Sequence, residues 1–171
     1  MKRKAYFAGG CFWCIEPVFE ALPGVSAAIS GYSGGEEAAP RYEDVKAQRT
    51  GHRETVCVEY DDEACSFSAL LEAYLGSVDP FDDGGQFIDR GHSYTLAVYH
   101  TCAGEREITL EKLAELEQSA GKRVCISVEP FRDFWMAEEY HQDYYLNNPE
   151  AFRKELEESG RARPGPERTG A

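Results

Sequence analysis

The chain has 171 residues, 42% hydrophobic and 29% charged, which suits one domain with its own core. Its formal net charge is −13. A surface of that sign repels phosphate backbones and anionic lipid, so neither nucleic acid nor a membrane is an expected partner. The basic start Met1–Lys4 leads into an apolar run that stops at Gly9-Gly10, too short for a signal peptide. No window reaches the length of a membrane span. The expectation is a cytoplasmic monomer with reduced thiols.

Ala5–Ala8 reads as a short buried strand closed by Gly9-Gly10. A helix carrying Val18, Phe19 and Leu22 follows and stops at Pro23-Gly24. Pro17 suits a first turn, so regular helical bonding is expected from about Cys14, with Cys11 just outside the N-terminus. Gly31–Pro40 reads as a glycine-rich loop. Glu54–Tyr60 alternates as a strand, with Val56, Val58 and Tyr60 on one face. Ser66 is the expected N-cap of a helix bearing Phe67, Leu70, Leu71, Tyr74 and Leu75. Asp79–Gly91 reads as a long polar loop, and Tyr94, Leu96 and Val98 as one face of a strand. Leu110, Leu113, Leu116 and Ala120 mark a helix closed by Gly121, and Val124–Val128 a further strand. A last helix is expected to carry Met136, Tyr140 and Tyr144 and to end near Asn147-Asn148-Pro149.

Strands and helices alternate, but the strands are few and short. The pattern fits an α+β layer of helices on a mixed sheet better than a doubly wound sheet. One catalytic domain is expected over residues 1–158. Residues 159–171 are expected to be a flexible tail, because GRARPGPERTGA lacks an apolar face.

There are six cysteines, at 11, 14, 57, 65, 102 and 125. In a reducing compartment most behave as small buried hydrophobes, which suits Cys57 and Cys125 beside valine or isoleucine. Cys11-Phe12-Trp13-Cys14 is a C-x-x-C whose cysteines share one helical face at a separation a disulfide spans. A helix N-terminus favours thiolate over thiol. Zinc would need a second, suitably spaced ligand pair, and neither Cys57 with Cys65 nor the four scattered histidines supply one, so no metal is assigned. A dithiol exchanging protein disulfides also uses C-x-x-C, although Phe12-Trp13 would crowd its substrate. Two inert core cysteines remain a third reading.

Gly10-Cys11-Phe12-Trp13 with Glu16 and Phe19 closely resembles the signature of the methionine sulfoxide reductase A family. The likeness continues through Gly31-Tyr32-Ser33-Gly34-Gly35, Tyr42-Glu43-Asp44-Val45, Thr50-Gly51-His52 with Glu54, and Asp79-Pro80. It runs on through Asp89 with Gly91 and Tyr94, then Ala137-Glu138-Glu139-Tyr140-His141-Gln142-Asp143-Tyr144, in the family's order. The resemblance implies a two-layer α/β sandwich of ferredoxin-like type. It implies reduction of the S epimer of methionine sulfoxide, protein-bound or free, as a peptide-methionine (S)-S-oxide reductase. It makes Cys11 the nucleophile and Phe12 and Trp13 the walls around the sulfoxide's methyl group. Tyr42, Glu54 and Tyr94 become the groups that bind and protonate its oxygen, and Asp89 a supporting carboxylate. No cofactor is implied; thioredoxin supplies the reducing equivalents.

The residues support those roles by their own chemistry. A sulfoxide oxygen leaves only when protonated, so the site needs an acid at neutral pH. Glu54 shares the strand parity of Val56 and Val58, and desolvation on that side would keep it protonated. The plainer alternative is a strand-end glutamate turned to solvent. Tyr42 and Tyr94 each have an O–H to donate, or are ordinary half-buried tyrosines. Trp13 beside a reactive cysteine reads as an exposed binding surface.

Four features depart from the family pattern: Gly91–Thr95 lacks an arginine after Tyr94, Phe134-Trp135-Met136 replaces a Tyr-Pro approach, Asp82–Gly85 is an unusual loop, and no cysteine lies in Gly160–Ala171. Recycling of an oxidised Cys11 is therefore expected to use Cys14. Other readings are a general dithiol–disulfide oxidoreductase, or a non-catalytic peptide-binding module built on Phe12 and Trp13.

Overall fold

The computed structural model describes residues 1–159. β1 (Lys2–Gly9) leads to α1 (Phe12–Glu20), β2 (Val25–Ser33), a short α2 (Tyr42–Lys46), β3 (Arg53–Asp61) and α3 (Phe67–Ser77). A small hairpin of β4 (Gly85–Gln86) and β5 (Asp89–Arg90) precedes β6 (Leu96–His100), α4 (Ala103–Ala120), β7 (Ile126–Pro130) and β8 (Trp135–Met136). α5 (Tyr144–Asn147) and α6 (Pro149–Ser159) follow. The expected tail lies outside the described residues apart from Ser159, which ends α6.

The main sheet has the order β7-β6-β1-β3-β2-β8. Only β6 and β7 pair in parallel; the other pairings are antiparallel. The unit β1-α1-β2-β3-α3-β6, with its strands in the order β6-β1-β3-β2, is the expected ferredoxin-like arrangement in a mixed α/β fold.

Side-chain alternation assigns the two faces. Phe7, Val56, Val58, Leu96 and Val98 pack under Ile15 and Phe19 of α1 and Leu70, Leu71 and Tyr74 of α3. Each such side chain contributes roughly 1.5–3 kcal/mol when fully buried. Tyr6, Ala8, Cys57, Ala97 and Tyr99 point the other way, where Phe131 and Phe134 cover them. Tyr6 stacks on Phe131 with ring centroids 3.9 Å apart. Ser66 caps α3 as expected, its hydroxyl accepting from the Ala69 N–H at 3.1 Å.

Several expectations are corrected. α1 starts at Phe12, with Pro17 inside it, because burial of Phe12, Cys14 and Ile15 holds the first turn in place. Cys11 is its N-cap, outside the helix as expected. Part of the expected glycine loop is strand, since β2 runs to Ser33. Leu113 is buried and Leu116 packs on the core as expected, but Leu110 is exposed, and α4 buries Glu105 and Thr109 in its place. Asp79–Gly91 contains the β4–β5 hairpin. The expected last helix is instead β8, a 3-10 turn at Glu139–His141 and α5. Its backbone is claimed by β2: the Ala137 N–H donates to the Ser30 carbonyl at 2.9 Å, and Gln142 bonds both backbone groups of Ser30. Pro149 opens α6 from a first-turn position that needs no N–H.

Gly31 is where β2 meets β8, paired with Met136. A Cβ there would lie 2.3 Å from Phe134 Cζ and 2.5 Å from the Trp135 carbonyl oxygen. Backbone cannot yield as a flexible side chain does, so Gly31→Ala should cost about 1–3 kcal/mol, read as a lower urea midpoint. An unchanged midpoint would mean that β8 does not dock on β2.

Candidate active site

Gly9-Gly10 ends β1 and turns the chain into α1, with Gly10 at φ +84°. Cys11 therefore stands at the helix N-terminus, but only 5% of it is exposed. The Cys14 N–H bonds back to the Cys11 carbonyl at 3.1 Å, and both cysteines are free thiols. The Cys11 thiol is pushed well above its usual range by its hydrogen bond to Cys14, by burial, and by the nearby Glu54 and Glu155. These influences oppose the helix N-terminus, which favours the thiolate. A helix terminus contributes about 0.3–1 kcal/mol, which is less than the desolvation of a buried charge.

Glu54 lies near the start of β3 on the face of Val56 and Val58, and is 1% exposed. The Phe12 N–H donates to its Oε1 at 3.2 Å. Its Oε2 is buried and has no partner among the described residues. Burial raises its pKa to about 8; the Phe12 bond opposes this, while Asp89, Cys14 and Glu155 add to it. A carboxyl protonated at neutral pH, with one oxygen uncommitted, thus borders the cysteine.

Tyr42 and Tyr94 flank this carboxyl. Burial, then the Glu54 charge, pushes both phenols up, so each keeps its proton. Tyr94 ends a 3-10 turn fixed by Gln48, which accepts from the Ser93 N–H at 3.0 Å and donates to the Ser93 hydroxyl at 2.8 Å. In the Gly91–Thr95 departure, Thr95 accepts a bond from Arg53 Nε at 2.8 Å. Asp89 sits on β5 of the small hairpin. The unusual loop braces that hairpin: Asp82 accepts from Arg90 Nη2 at 2.8 Å and from the Gly84 N–H at 3.0 Å.

Phe12 is fully buried, its ring 5.1 Å from His141 and 5.9 Å from Tyr32. Trp13 is half-buried rather than an open surface. Its indole N–H donates to His141 Nδ1 at 3.0 Å, and its ring stacks on Tyr144 at 4.0 Å. His141 is completely buried, and burial lowers its pKa, so it is a neutral acceptor.

Sequence reasoning missed the contribution of α6. Phe152 and Leu156 pack on Cys11 and Cys14, and the Cys11 thiol donates to Glu155 Oε1 at 3.9 Å. The spacing of Phe152 and Leu156 after Pro149 was the available helical signal. Cys57 lies on the opposite sheet face, Cys65 in the main core, and Cys102 and Cys125 at the periphery; none reaches Cys11. Glu16 is also buried. It accepts from the Ser30 hydroxyl at 2.8 Å and the Asp143 N–H at 2.8 Å, which ties α1 to the segment before α5. Burial raises its pKa to about 8.

A ferredoxin-like sandwich thus carries a buried thiol pair and a buried carboxyl at the start of α1, an arrangement open to thiol redox chemistry. The family model described as peptide methionine sulfoxide reductase matches residues 3–164. Peptide methionine sulfoxide reductase MsrA 2 of Staphylococcus aureus is 41% identical over 162 residues, covering 94% of this chain and 92% of its own. The solved methionine sulfoxide reductase A of Corynebacterium diphtheriae is 29% identical with a TM-score of 0.78, covering 86% of this chain and 76% of that one. Mxr1 of Saccharomyces cerevisiae shares the fold in its reduced form, at TM-score 0.82 and 24% identity over 87% of each chain. Its complex with Trx2 also matches, at TM-score 0.57 and 15% identity over 84% of each. The chain belongs to the peptide methionine sulfoxide reductase family, and within it to the A type.

Glu16 and Glu54 also tie folding to pH. Each holds a proton in the folded protein up to about pH 8 and loses it in the unfolded chain above about pH 4.3. The folded state then binds more protons, so both groups make stability fall as pH rises between those values. One such proton corresponds to about 1.4 kcal/mol per pH unit. Glu16→Gln should flatten the decline in urea midpoint between pH 5 and 8; an unchanged slope would place an ionised carboxylate at Glu16.

Proposed function

We propose that this protein reduces the S epimer of methionine sulfoxide in oxidised proteins or peptides, with Cys11 as nucleophile and Glu54 as proton donor. The observation that carries the reading is the uncommitted Oε2 of a buried, protonated Glu54 beside the Cys11 thiol. A sulfoxide oxygen aimed at Oε2 would receive that proton as its bond to sulfur breaks. Tyr42 and Tyr94, both protonated, supply further O–H donors to the same oxygen. Phe12 and Trp13 give an apolar wall for the methyl group, with His141 fixing the indole. Asp89 helps to keep Glu54 protonated.

The atoms balance. The substrate S–O bond breaks and an S–O bond forms on Cys11, giving methionine and a sulfenic acid. Two electrons pass from the Cys11 sulfur to the substrate sulfur. The thiol proton replaces the one Glu54 gave to oxygen. Cys14 then condenses with the sulfenic acid, releasing water and leaving a Cys11–Cys14 disulfide. Their shared hydrogen bond and adjacent turns favour this partner, and residues 126–171 contain no cysteine. A thioredoxin-class dithiol returns both thiols by exchange. The cycle needs no metal or organic cofactor. Because Tyr144 and α6 cover the site, a methionine side chain enters only when they shift.

Cys11→Ser should abolish sulfoxide reduction in a thioredoxin-coupled NADPH assay. Glu54→Gln should slow it about 10²–10⁴-fold. It should also remove the fall in rate expected as pH rises through about 8, where Glu54 loses its proton. Retained turnover in the first variant, or an unchanged rate and pH profile in the second, would refute the assignment. Cys14→Ser should still release one methionine per enzyme but lose thioredoxin-supported cycling. Normal cycling, or a Cys11–Cys57 linkage in peptide maps of the oxidised protein, would contradict the disulfide.

A further inference from the structure

Gln48 follows α2 at φ +61°, in the left-handed region that favours glycine. A side chain at that position is held against backbone strain, and its contacts show what holds it. The amide Oε1 accepts from the Ser93 N–H at 3.0 Å, and Nε2 donates to the Ser93 hydroxyl at 2.8 Å and to the Lys46 carbonyl at 3.1 Å. Gln48 is a surface residue, yet Ser93 is 1% exposed, so the amide reaches inward. Gly91 leaves room for it: a Cβ there would meet Gln48 Cδ and Nε2 at 2.7 Å.

Those contacts join the two segments that carry the phenols. Tyr42 opens α2, and the Gln48 N–H donates to the Val45 carbonyl at 3.0 Å, so Gln48 continues the last turn of that helix. Ser93 is the middle residue of the 3-10 turn His92–Tyr94, next to Tyr94. Tyr94 is 7% exposed, and after burial the charges of Glu54, Tyr42, Asp89 and Cys11 act most on its phenol. The flanks of the turn have anchors of their own. His92 Nε2 bonds the Gly51 carbonyl at 3.0 Å, and Thr95 accepts from Arg53 Nε at 2.8 Å. Gln48 fixes the middle, on the backbone beside Tyr94.

We propose that Gln48 is a positioning residue for sulfoxide reduction: by bonding Ser93 at both its N–H and its hydroxyl, it sets the Tyr94 phenol relative to Tyr42 and the substrate oxygen. This rests on the reductase reading, in which both phenols donate to that oxygen. Gln48 itself touches neither the substrate nor the reacting atoms. Donors aimed at a developing oxygen act through geometry, and a displacement of about 1 Å can cost about 10²-fold in rate. Two phenols on one oxygen let one cover for the other. The contribution of Gln48 is therefore full only where Tyr94 is the sole phenol, and it vanishes where Tyr94 has no hydroxyl to place.

The test is a pair of double-variant cycles on the full chain, read as the rate of methionine release in a single turnover at saturating peptide sulfoxide. Gln48→Gly is the informative change, because glycine suits the positive φ and removes the amide. In a Tyr42→Phe background it should slow release about tenfold or more. In a Tyr94→Phe background it should slow release about twofold or less. Equal slowing in the two backgrounds, or none in the first, would overturn the role. The urea midpoint of Gln48→Gly should stay close to that of the wild type, since relief of backbone strain offsets the lost bonds; a steep drop would mark a structural residue and overturn the role. Hydrogen exchange needs no turnover. The Ser93 N–H of the unaltered protein should exchange about tenfold or more slower than a free amide, and Gln48→Gly should release it. Free exchange in the unaltered protein would overturn this role alone, whereas wild type without turnover would overturn the reaction and this role together.

Discussion

The Phe12 N–H donates to one oxygen of Glu54 while the other oxygen is closed off from water. That bond joins the first turn of α1 to the start of β3, and so fixes where Cys11 stands relative to the carboxyl. It depends on the sheet order, because β1 and β2 flank β3 and α1 crosses over them. One neutral-donor hydrogen bond does not offset the loss of hydration of a carboxylate. Glu54 therefore stays protonated into the neutral range. The chemistry of the site follows from that imbalance.

The same imbalance governs the cysteine. Every leading influence on Cys11 pushes its thiol up, and the partial charge of the helix terminus is too small to reverse them. The resting site thus pairs two neutral acids rather than a thiolate with a carboxylic acid. A neutral thiol is a weak nucleophile. On this reading reactivity arises when a sulfoxide enters, since its electropositive sulfur favours the thiolate and its oxygen takes the Glu54 proton. The cover formed by Tyr144, Phe152 and Leu156 keeps water from the pair until then.

What the sequence revealed was what local pattern encodes. Alternation in β3 placed Glu54 inward and Cys57 outward, and the structure has them on opposite faces. Gly9-Gly10 and the apolar run after it placed Cys11 at a helix start. The family's ordered motifs implied the ferredoxin-like sheet that the strand order bears out. What escaped depends on contacts between distant segments. β2 is rich in small residues, and Gly31 is glycine because β8 approaches it, over a hundred residues later. The segment around Met136 looked helical, but its backbone bonds are taken by Ser30. Glu155 meets Cys11 across 144 residues, and a glutamate on an amphipathic helix gives no local sign of such a contact.

The central claim is that Glu54 is a carboxylic acid, not a carboxylate, in the folded protein at neutral pH. Infrared difference spectroscopy of the wild type against Glu54→Gln reads this without turnover. The account predicts the carbonyl stretch of a protonated carboxyl at pH 7, present only in the wild type and fading as pH rises through about 8. Carboxylate stretches at pH 7 with no protonated band would contradict it.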